Sequence, residues 1–164
     1  MNAINIRPIQ ESDTPFLWDM LYELVYVPEG VNRPEKQVIL KQPDIAVYLS
    51  DFGAKDSDVG FVAEDETGQL IGAAWFRLFD SNNKGYGFVS ENIPELGIAV
   101  VEEHRGKGAG RKLLKVLIEK GRADGHRAIS LSVDSRNKAV DLYIKEGFKT
   151  VEAVDTSWTM KLDL

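Results

Sequence analysis

The pattern of apolar and polar residues predicts an α/β domain. Apolar residues recur at helical spacing over residues 16–25 and 110–121, so each segment would bury one face of an amphipathic helix. Alternating or continuously apolar runs predict seven strands, at residues 3–7, 59–64, 69–78, 96–101, 128–133, 149–154 and 157–164. Their order along the chain, with helices between some of them, predicts a mixed and largely antiparallel sheet flanked by about four helices.

Shorter elements and loops complete this prediction. Short helices are expected at residues 35–41, 43–49 and 137–145, and prolines with a glycine make 27–34 a loop. The connection over residues 79–94 is polar, contains glycine and is unusually long. Connections of that length are often functional or mobile.

Composition excludes several classes of chemistry. The 164 residues fit one domain, over residues 1–164. The absence of cysteine excludes disulfides, a thiolate nucleophile and a cysteine zinc site, and with only His104 and His126 no metal site is expected. The net charge of −6 argues against a nucleic-acid partner and weakly favours a cationic substrate. Without a long apolar run or a signal segment, no membrane contact and a cytoplasmic location are expected.

The turn before the second amphipathic helix is rich in glycine and in cationic residues. It consists of Arg105, Gly106, Lys107, Gly108, Ala109, Gly110 and Arg111. Glycine lets a ligand approach the main chain, and the first turn of a helix offers free N–H groups and the positive end of the dipole. The turn is therefore predicted to bind a phosphorylated ligand, with a pyrophosphate as the expected group.

Two motifs narrow the class of ligand. The dinucleotide pattern G-x-G-x-x-G and the Walker A pattern both fail in this turn, whereas R-x-x-G-x-G matches at Arg105, Gly108 and Gly110. Further along, the run NKAVDLYIKEGF extends from Asn137 to Phe148. Together the two motifs resemble the acyl-CoA-binding motifs of the GNAT (general N-acetyltransferase) superfamily.

The resemblance implies a GNAT-like fold and a binding site for acetyl-CoA, used as a co-substrate without any metal. In that fold the strand that ends near Val100 and the strand that starts near Ala128 run parallel and then splay apart. The main-chain groups of Ile98, Ala99 and Val100 would pair with the pantetheine arm, as an added strand would. The amides of residues 106–111 would hold the pyrophosphate, with Arg105 beside them, and Asn137 would contact the pantetheine arm.

The resemblance also implies a reaction, which is acetyl transfer from acetyl-CoA to a primary amine. Because no cysteine can carry the acetyl group, direct attack in a ternary complex is expected. Glu95 would be the base, with Glu91 as the reserve candidate, and Tyr143 would donate a proton to the departing thiolate and contact the cofactor. A non-catalytic acyl-CoA sensor is the alternative, and transfer to a hydroxyl or from a longer acyl donor is a minor one.

The sequence indicates the chemical class of the acceptor but not its identity. A small-molecule or peptide amine fits, and the carboxylates of Glu29, Glu91 and Glu95 favour a cationic one. By family resemblance the connection over residues 79–94 lies beside the acceptor pocket, although a flexible hairpin tip is an equal alternative. A homodimer is also expected from the family.

Overall fold

A single seven-stranded sheet forms the centre of the molecule. The computed structural model describes residues 3–164, and its strands are arranged in the order β1-β2-β3-β4-β5-β7-β6. They are β1 (Asn5–Pro8), β2 (Val59–Glu64), β3 (Leu70–Arg77), β4 (Glu95–Val100), β5 (Ala128–Asp134), β6 (Lys149–Val154) and β7 (Ser157–Asp163). The predicted α/β class, the seven strands and the largely antiparallel sheet are confirmed.

Five α-helices accompany the sheet, one for each helical segment that the sequence predicts. They are α1 (Thr14–Leu24), α2 (Lys36–Ile39), α3 (Pro43–Ala46), α4 (Ala109–Ala123) and α5 (Ala139–Lys145). The helices expected at 35–41 and 43–49 are each reduced to one turn. The last helix begins at Ala139 rather than at Asn137, and the Asn137 side chain accepts a hydrogen bond from the Ala139 N–H at 2.9 Å in the turn just before the helix. None of the helices in residues 3–164 is long and apolar enough to cross a bilayer.

Only one neighbouring pair of strands is parallel. Strands β4 and β5 are matched at a single pair, Glu95 with Ser130, and the Ser130 N–H donates to the Pro94 carbonyl at 3.0 Å. Every other neighbouring pair of strands in the sheet is antiparallel. The sheet is therefore continuous at one end of β4 and open at the other.

Two hydrophobic cores lie on opposite faces of the sheet. On one face α4 and α5 pack with Leu113, Leu114, Leu117, Val140 and Tyr143 against the strands. On the other face α1 packs together with the segment that follows α3, through Leu17, Met20, Leu21, Tyr48 and Leu49, around Trp75. Each face of β4 is thus covered by a different layer, and the open end of β4 lies between the two.

A buried ion pair fastens the segment after α3 to the sheet. The Arg77 guanidinium contacts the Asp58 carboxylate at 3.0 Å and donates to the carbonyls of Val47 and Ser50 at 3.1 and 2.8 Å. The Asp58 side chain is 0% exposed, so solvent does not weaken this pair. Arg77 thereby fixes the position of Tyr48, which lies between the two carbonyls that it binds.

Close packing of β2 on β3 predicts that Gly60→Ala destabilises the protein. A Cβ at Gly60 would lie 2.7 Å from the Trp75 Cβ and 2.8 Å from the Ala74 carbonyl oxygen, which cannot move independently of β3. The free energy of unfolding, measured with urea, should fall by about 1–3 kcal/mol.

Gly110→Ala is the matched control for this substitution. Gly110 lies in the first turn of α4, and the nearest atoms to its Cβ, in Val100 and Leu142, would be 3.8 and 3.9 Å away. The free energy of unfolding of Gly110→Ala should rise by roughly 0.5–1 kcal/mol, because alanine is a better helix former than glycine. Equal stability of the two variants would contradict the packing described for β2 and β3.

Candidate functional site

The open edge of β4 presents main-chain groups that no neighbouring strand pairs. The Val101 N–H donates to the Ile71 carbonyl of β3 at 2.9 Å, and backbone groups alternate sides along an antiparallel strand. The groups of Ile98 and Val100 therefore point into the gap toward β5. Those of Ala99 point to β3, where Ala73 is the partner residue. The main-chain contact expected from Ala99 is thus not available, although Ala99 does line the cavity described below.

The turn before α4 offers a set of free N–H groups. Within residues 3–164 the amides of 106–111 make no hydrogen bond, and the first bonded amide is that of Lys112, to the Gly108 carbonyl at 3.1 Å. Gly106 and Gly108 have φ angles of 77° and 93°, which non-glycine residues rarely adopt. These two glycines let the chain turn sharply just before the 15-residue helix α4. The free N–H groups of the turn therefore lie at the start of that helix.

The cationic side chains of the turn differ in how firmly the rest of the protein holds them. Arg105 donates to the Val100 carbonyl and to Glu23, both at 3.0 Å, so it ties the turn to β4 and α1. Arg111 lies 3.6 Å from Glu146, and Lys107 lines a separate cavity of about 670 Å³. The free main-chain amides and the exposed side chains of Lys107 and Arg111 can therefore both contribute to binding an anion at this turn.

A cavity of about 1100 Å³ connects the turn to the other face of the sheet. Its wall includes Ile98, Val100, Gly106 and Gly110 on the side of the turn. It continues past Asn137 and Tyr143 to Asp44, Tyr48 and Tyr86. One continuous space thus joins the free amides, the open strand edge and the α1 side of the sheet.

Tyr143 places a hydroxyl group on the wall of this cavity. Its ring is 6% exposed and packs edge-to-face on Phe148, with the ring centroids 5.8 Å apart. Burial raises the pKa of Tyr143 above its usual range, so the phenol keeps its proton at neutral pH. No group in residues 3–164 hydrogen-bonds to this hydroxyl, which leaves it available to a ligand.

Glu95 lies behind the cavity wall. The residue is 1% exposed, and its Oε2 accepts hydrogen bonds from the Tyr48 hydroxyl and from the Gly87 N–H, the latter at 3.0 Å. Its Oε1 is buried without a hydrogen-bond partner among residues 3–164. Burial raises the pKa of Glu95 from its usual 4.5 to about 7, and the two hydrogen bonds limit that rise.

A turn within the long connection covers this carboxylate. A Cβ added to Gly85 would lie 2.2 Å from Glu95 Oε1, and one added to Gly87 would lie 2.5 Å from the Leu131 carbonyl carbon. Only glycine fits at either position. The 79–94 connection therefore lies against β4 and β5 and is not a free hairpin tip. Its place beside an acceptor pocket remains a prediction.

The structure separates the other candidate acidic residues from the cavity. Glu91 accepts hydrogen bonds from Ser81 and is exposed, and neither it nor Glu29 lines the cavity. Sequence reasoning missed Tyr48, which contacts Glu95 across 47 positions of sequence. No motif marks Tyr48, and the only signal was an aromatic residue with a polar group in a segment of uncertain structure.

Comparison with known proteins identifies the family. The family model described as "Acetyltransferase (GNAT) family" matches residues 18–148, which include the turn, the open strand and α5. The chain belongs to the GNAT family. This match confirms the resemblance carried by the R-x-x-G-x-G turn and the run from Asn137 to Phe148.

Individual GNAT relatives are similar over different parts of the chain. An uncharacterised N-acetyltransferase, YobR, from Bacillus subtilis is 43% identical over 68 residues, which are 41% of this chain and 25% of YobR. The chain spans between 25% and 49% of the length of the curated relatives that it matches.

Solved structures match along nearly the whole chain. A GCN5-related N-acetyltransferase from Kribbella flavida is 21% identical with a TM-score of 0.68, covering 99% of this chain and 98% of its own. The Salmonella typhimurium protein yncA, solved with its cofactor acetyl-CoA, is 23% identical with a TM-score of 0.67, covering 99% of this chain and 94% of its own. At these identities the likeness concerns the fold.

No cluster of three or more His, Cys, Asp or Glu side chains suited to a metal ion occurs within residues 3–164. The polar groups around the cavity include tyrosine hydroxyls, carboxylates and main-chain amides, together with the cationic side chains of Arg33, Arg105, Arg136 and Lys138. The groups described here therefore suit hydrogen bonding and proton transfer.

The buried Glu95 predicts a distinctive dependence of stability on pH. Because its pKa is raised in the folded protein, the folded state holds this proton more tightly than the unfolded state does. The contribution is fully present below pH 4.5 and is lost as pH rises to about 7. A rise of that size corresponds to roughly 3 kcal/mol of unfolding free energy.

In Glu95→Gln the free energy of unfolding should no longer fall as pH rises. Urea titrations between pH 4 and 8 would measure this free energy in the variant and in wild type. Glu91→Gln is the matched control, since the Glu91 carboxylate is exposed and bound only by Ser81. If Glu95→Gln follows the wild-type pH dependence, Glu95 does not titrate as a buried group.

Proposed function

We propose that this protein transfers the acetyl group of acetyl-CoA to a primary amine, by direct attack in a ternary complex. The continuous cavity carries this proposal, because it brings the free amides of the turn, the open edge of β4 and the Tyr143 hydroxyl into one space. Membership of the GNAT family supports the donor, and yncA is a structural neighbour with acetyl-CoA bound.

The donor would bind along the turn and the open strand. The amides of residues 106–111 would hold the pyrophosphate, since they are unpaired and precede α4. The pantetheine arm would pair with the main chain of Ile98, where β5 has diverged from β4, and would run past Val100, whose carbonyl is already bound by Arg105. Asn137 also lines the cavity, and its side-chain amide N–H₂ is free to donate to this arm.

The acceptor would approach from the side of α1 and α3. There the cavity wall carries Asp44, whose carboxylate accepts a hydrogen bond from the Tyr86 hydroxyl, and the apolar side chains of Ile39 and Ile45. A carboxylate beside apolar groups suits a cationic amine with an apolar body, either a small molecule or a peptide. Asp44 takes the role that the sequence assigned to Glu29 and Glu91, neither of which lines the cavity.

The chemistry needs a base, an oxyanion donor and an acid. An alkylamine with a pKa of about 10.4 is almost fully protonated at pH 7, so its proton must be removed before attack. Glu95, with a pKa of about 7, is suited to take it. The Val100 N–H directed into the gap would stabilise the oxyanion, and Tyr143 would protonate the departing thiolate.

A non-catalytic acyl-CoA sensor is the second candidate. It is favoured by the burial of Glu95, which is 1% exposed and does not line the cavity. A panel of amines incubated with acetyl-CoA, with release of free thiol as the readout, separates the two functions. Turnover of any amine supports the transferase, and binding of acetyl-CoA without turnover of any amine supports the sensor. The homodimer and the cytoplasmic location remain predictions from sequence.

Gly108→Val should weaken acetyl-CoA binding at least about tenfold in calorimetry. The side chain would sit among the free amides at a φ of 93°, so both the backbone geometry and the approach of the phosphates would change. Gly125→Val is the matched control, because Gly125 follows the other end of α4 with a φ of 84° and has no atom within 4 Å of its Cβ position. Equal affinity for acetyl-CoA in the two variants would place the pyrophosphate elsewhere.

Tyr143→Phe should lower kcat by about 100-fold or more and leave the Kd for acetyl-CoA within about twofold of wild type. The hydroxyl makes no hydrogen bond to any group in residues 3–164, so its removal should not disturb the fold. Tyr22→Phe serves as the control, since that hydroxyl binds the Pro34 carbonyl and neither residue lines the cavity. An unchanged kcat for Tyr143→Phe would remove this residue from the mechanism.

A further inference from the structure

The connection between Glu95 and the cavity passes through one side chain. Tyr48 lines the cavity, whereas Glu95 does not, and the Tyr48 hydroxyl donates a hydrogen bond to Glu95 Oε2. We propose that Tyr48 is a catalytic proton relay, which accepts the proton of the acceptor amine as it passes its own to Glu95. This inference rests on the proposed transferase function.

The hydroxyl group of Tyr48 has one free position for this task. A phenol offers one donor and can accept two hydrogen bonds. The donor is used by Glu95, and one acceptor position is used by the Tyr86 N–H at 2.8 Å. The Gly87 N–H, which donates to Glu95 Oε2 at 3.0 Å, also lies near this hydroxyl. An amine N–H of the substrate would therefore take the second acceptor position from the cavity side, opposite the turn that contains Gly85 and Gly87.

The direct approaches to Glu95 are closed. Its Oε2 already accepts from Tyr48 and from the Gly87 N–H, and its Oε1 lies under Gly85, where even a methyl group would come within 2.2 Å. The Gly87 side of the turn is held against the main chain of β5. A substrate in the cavity therefore reaches the carboxylate through the Tyr48 oxygen.

The transfer balances without any further reactant. One N–H bond of the ammonium breaks and an O–H bond forms on Tyr48, while the Tyr48 O–H bond breaks and an O–H bond forms on Glu95. The amine is left neutral, with its electron pair free to attack the thioester carbonyl. Burial, together with the nearby Glu95 carboxyl, raises the pKa of Tyr48 well above its usual range, so a free tyrosinate does not accumulate and the two transfers are concerted.

Few other charged groups face Tyr48 and Glu95. Arg77, the residue of β3 opposite Glu95, directs its guanidinium to Asp58 and to the carbonyls of Val47 and Ser50. From β5 the neighbour is Ser130, which is uncharged, and from the 79–94 connection the contacts are main-chain N–H groups. Tyr48 is thus the titratable partner of Glu95.

The relay is tested with Tyr48→Phe and two acceptors. With the alkylamine that the wild type acetylates best, kcat at pH 7 should fall by about 100-fold or more, since that is the usual contribution of acid–base catalysis. With a hydrazide of the same body, whose amino group is already neutral at pH 7, kcat should fall by less than about threefold. If the substitution only damaged the structure of the site, kcat would fall equally with the alkylamine and with the hydrazide. Affinity for acetyl-CoA should match that of wild type, and Tyr22→Phe is the control.

A second measurement does not depend on activity. Loss of the Tyr48 hydroxyl removes a hydrogen bond that favours the charged form of Glu95. The fall in stability with rising pH should therefore extend to higher pH in Tyr48→Phe than in wild type. An unshifted stability profile overturns the contact on which the relay depends.

The outcomes distinguish the relay from the transferase function. Wild-type turnover of the alkylamine by Tyr48→Phe overturns the relay alone, and so does an equal loss with both acceptors. A wild-type protein that binds acetyl-CoA but acetylates no amine overturns the transferase function, and the relay falls with it.

Discussion

The divergence of β4 from β5 is the feature on which the site depends. The two strands are matched only at Glu95 and Ser130, and beyond that pair the main-chain groups of Ile98 and Val100 have no strand to bind. Unpaired main-chain groups are costly when buried, so a gap of this kind must stay open to solvent or to a ligand. Here the gap opens into the cavity, while β3 holds β4 along its paired edge and α1 and α4 pack on its two faces.

The turn before α4 lies next to the gap between β4 and β5, and contacts within the protein fix its geometry without a ligand. Gly106 and Gly108 adopt positive φ angles, and Arg105 ties the turn to the last residue of β4 through the Val100 carbonyl. The free amides and the open strand edge are thereby held at a fixed separation. A ligand with a phosphate group at one end and amide groups along its arm can engage both without reorganising the protein.

The sequence predicted the parts of the site that depend on local pattern. Strand alternation, the apolar stripe of α4 and the glycine spacing in the turn each report on neighbouring residues, and these predictions agree with the structure. The register of β4 was not visible in the same way, so Ala99 was grouped with Ile98 and Val100 although its main chain faces β3. Tyr48 was missed because its contact with Glu95 depends on Arg77 and Trp75 holding a distant segment on the sheet.

Burial gives Glu95 both its chemical usefulness and its cost in stability. An exposed glutamate with its usual pKa near 4.5 is a weak base toward an alkylammonium ion. The turn that contains Gly85 and Gly87 excludes water from Glu95 and brings its pKa to about 7, closer to that of the amine. The same burial makes the charged carboxylate unfavourable in the folded state, which the hydrogen bonds from Tyr48 and Gly87 offset in part. A more exposed Glu95 would stabilise the fold at neutral pH but would be a weaker base, so the closeness of the turn sets the balance between the two.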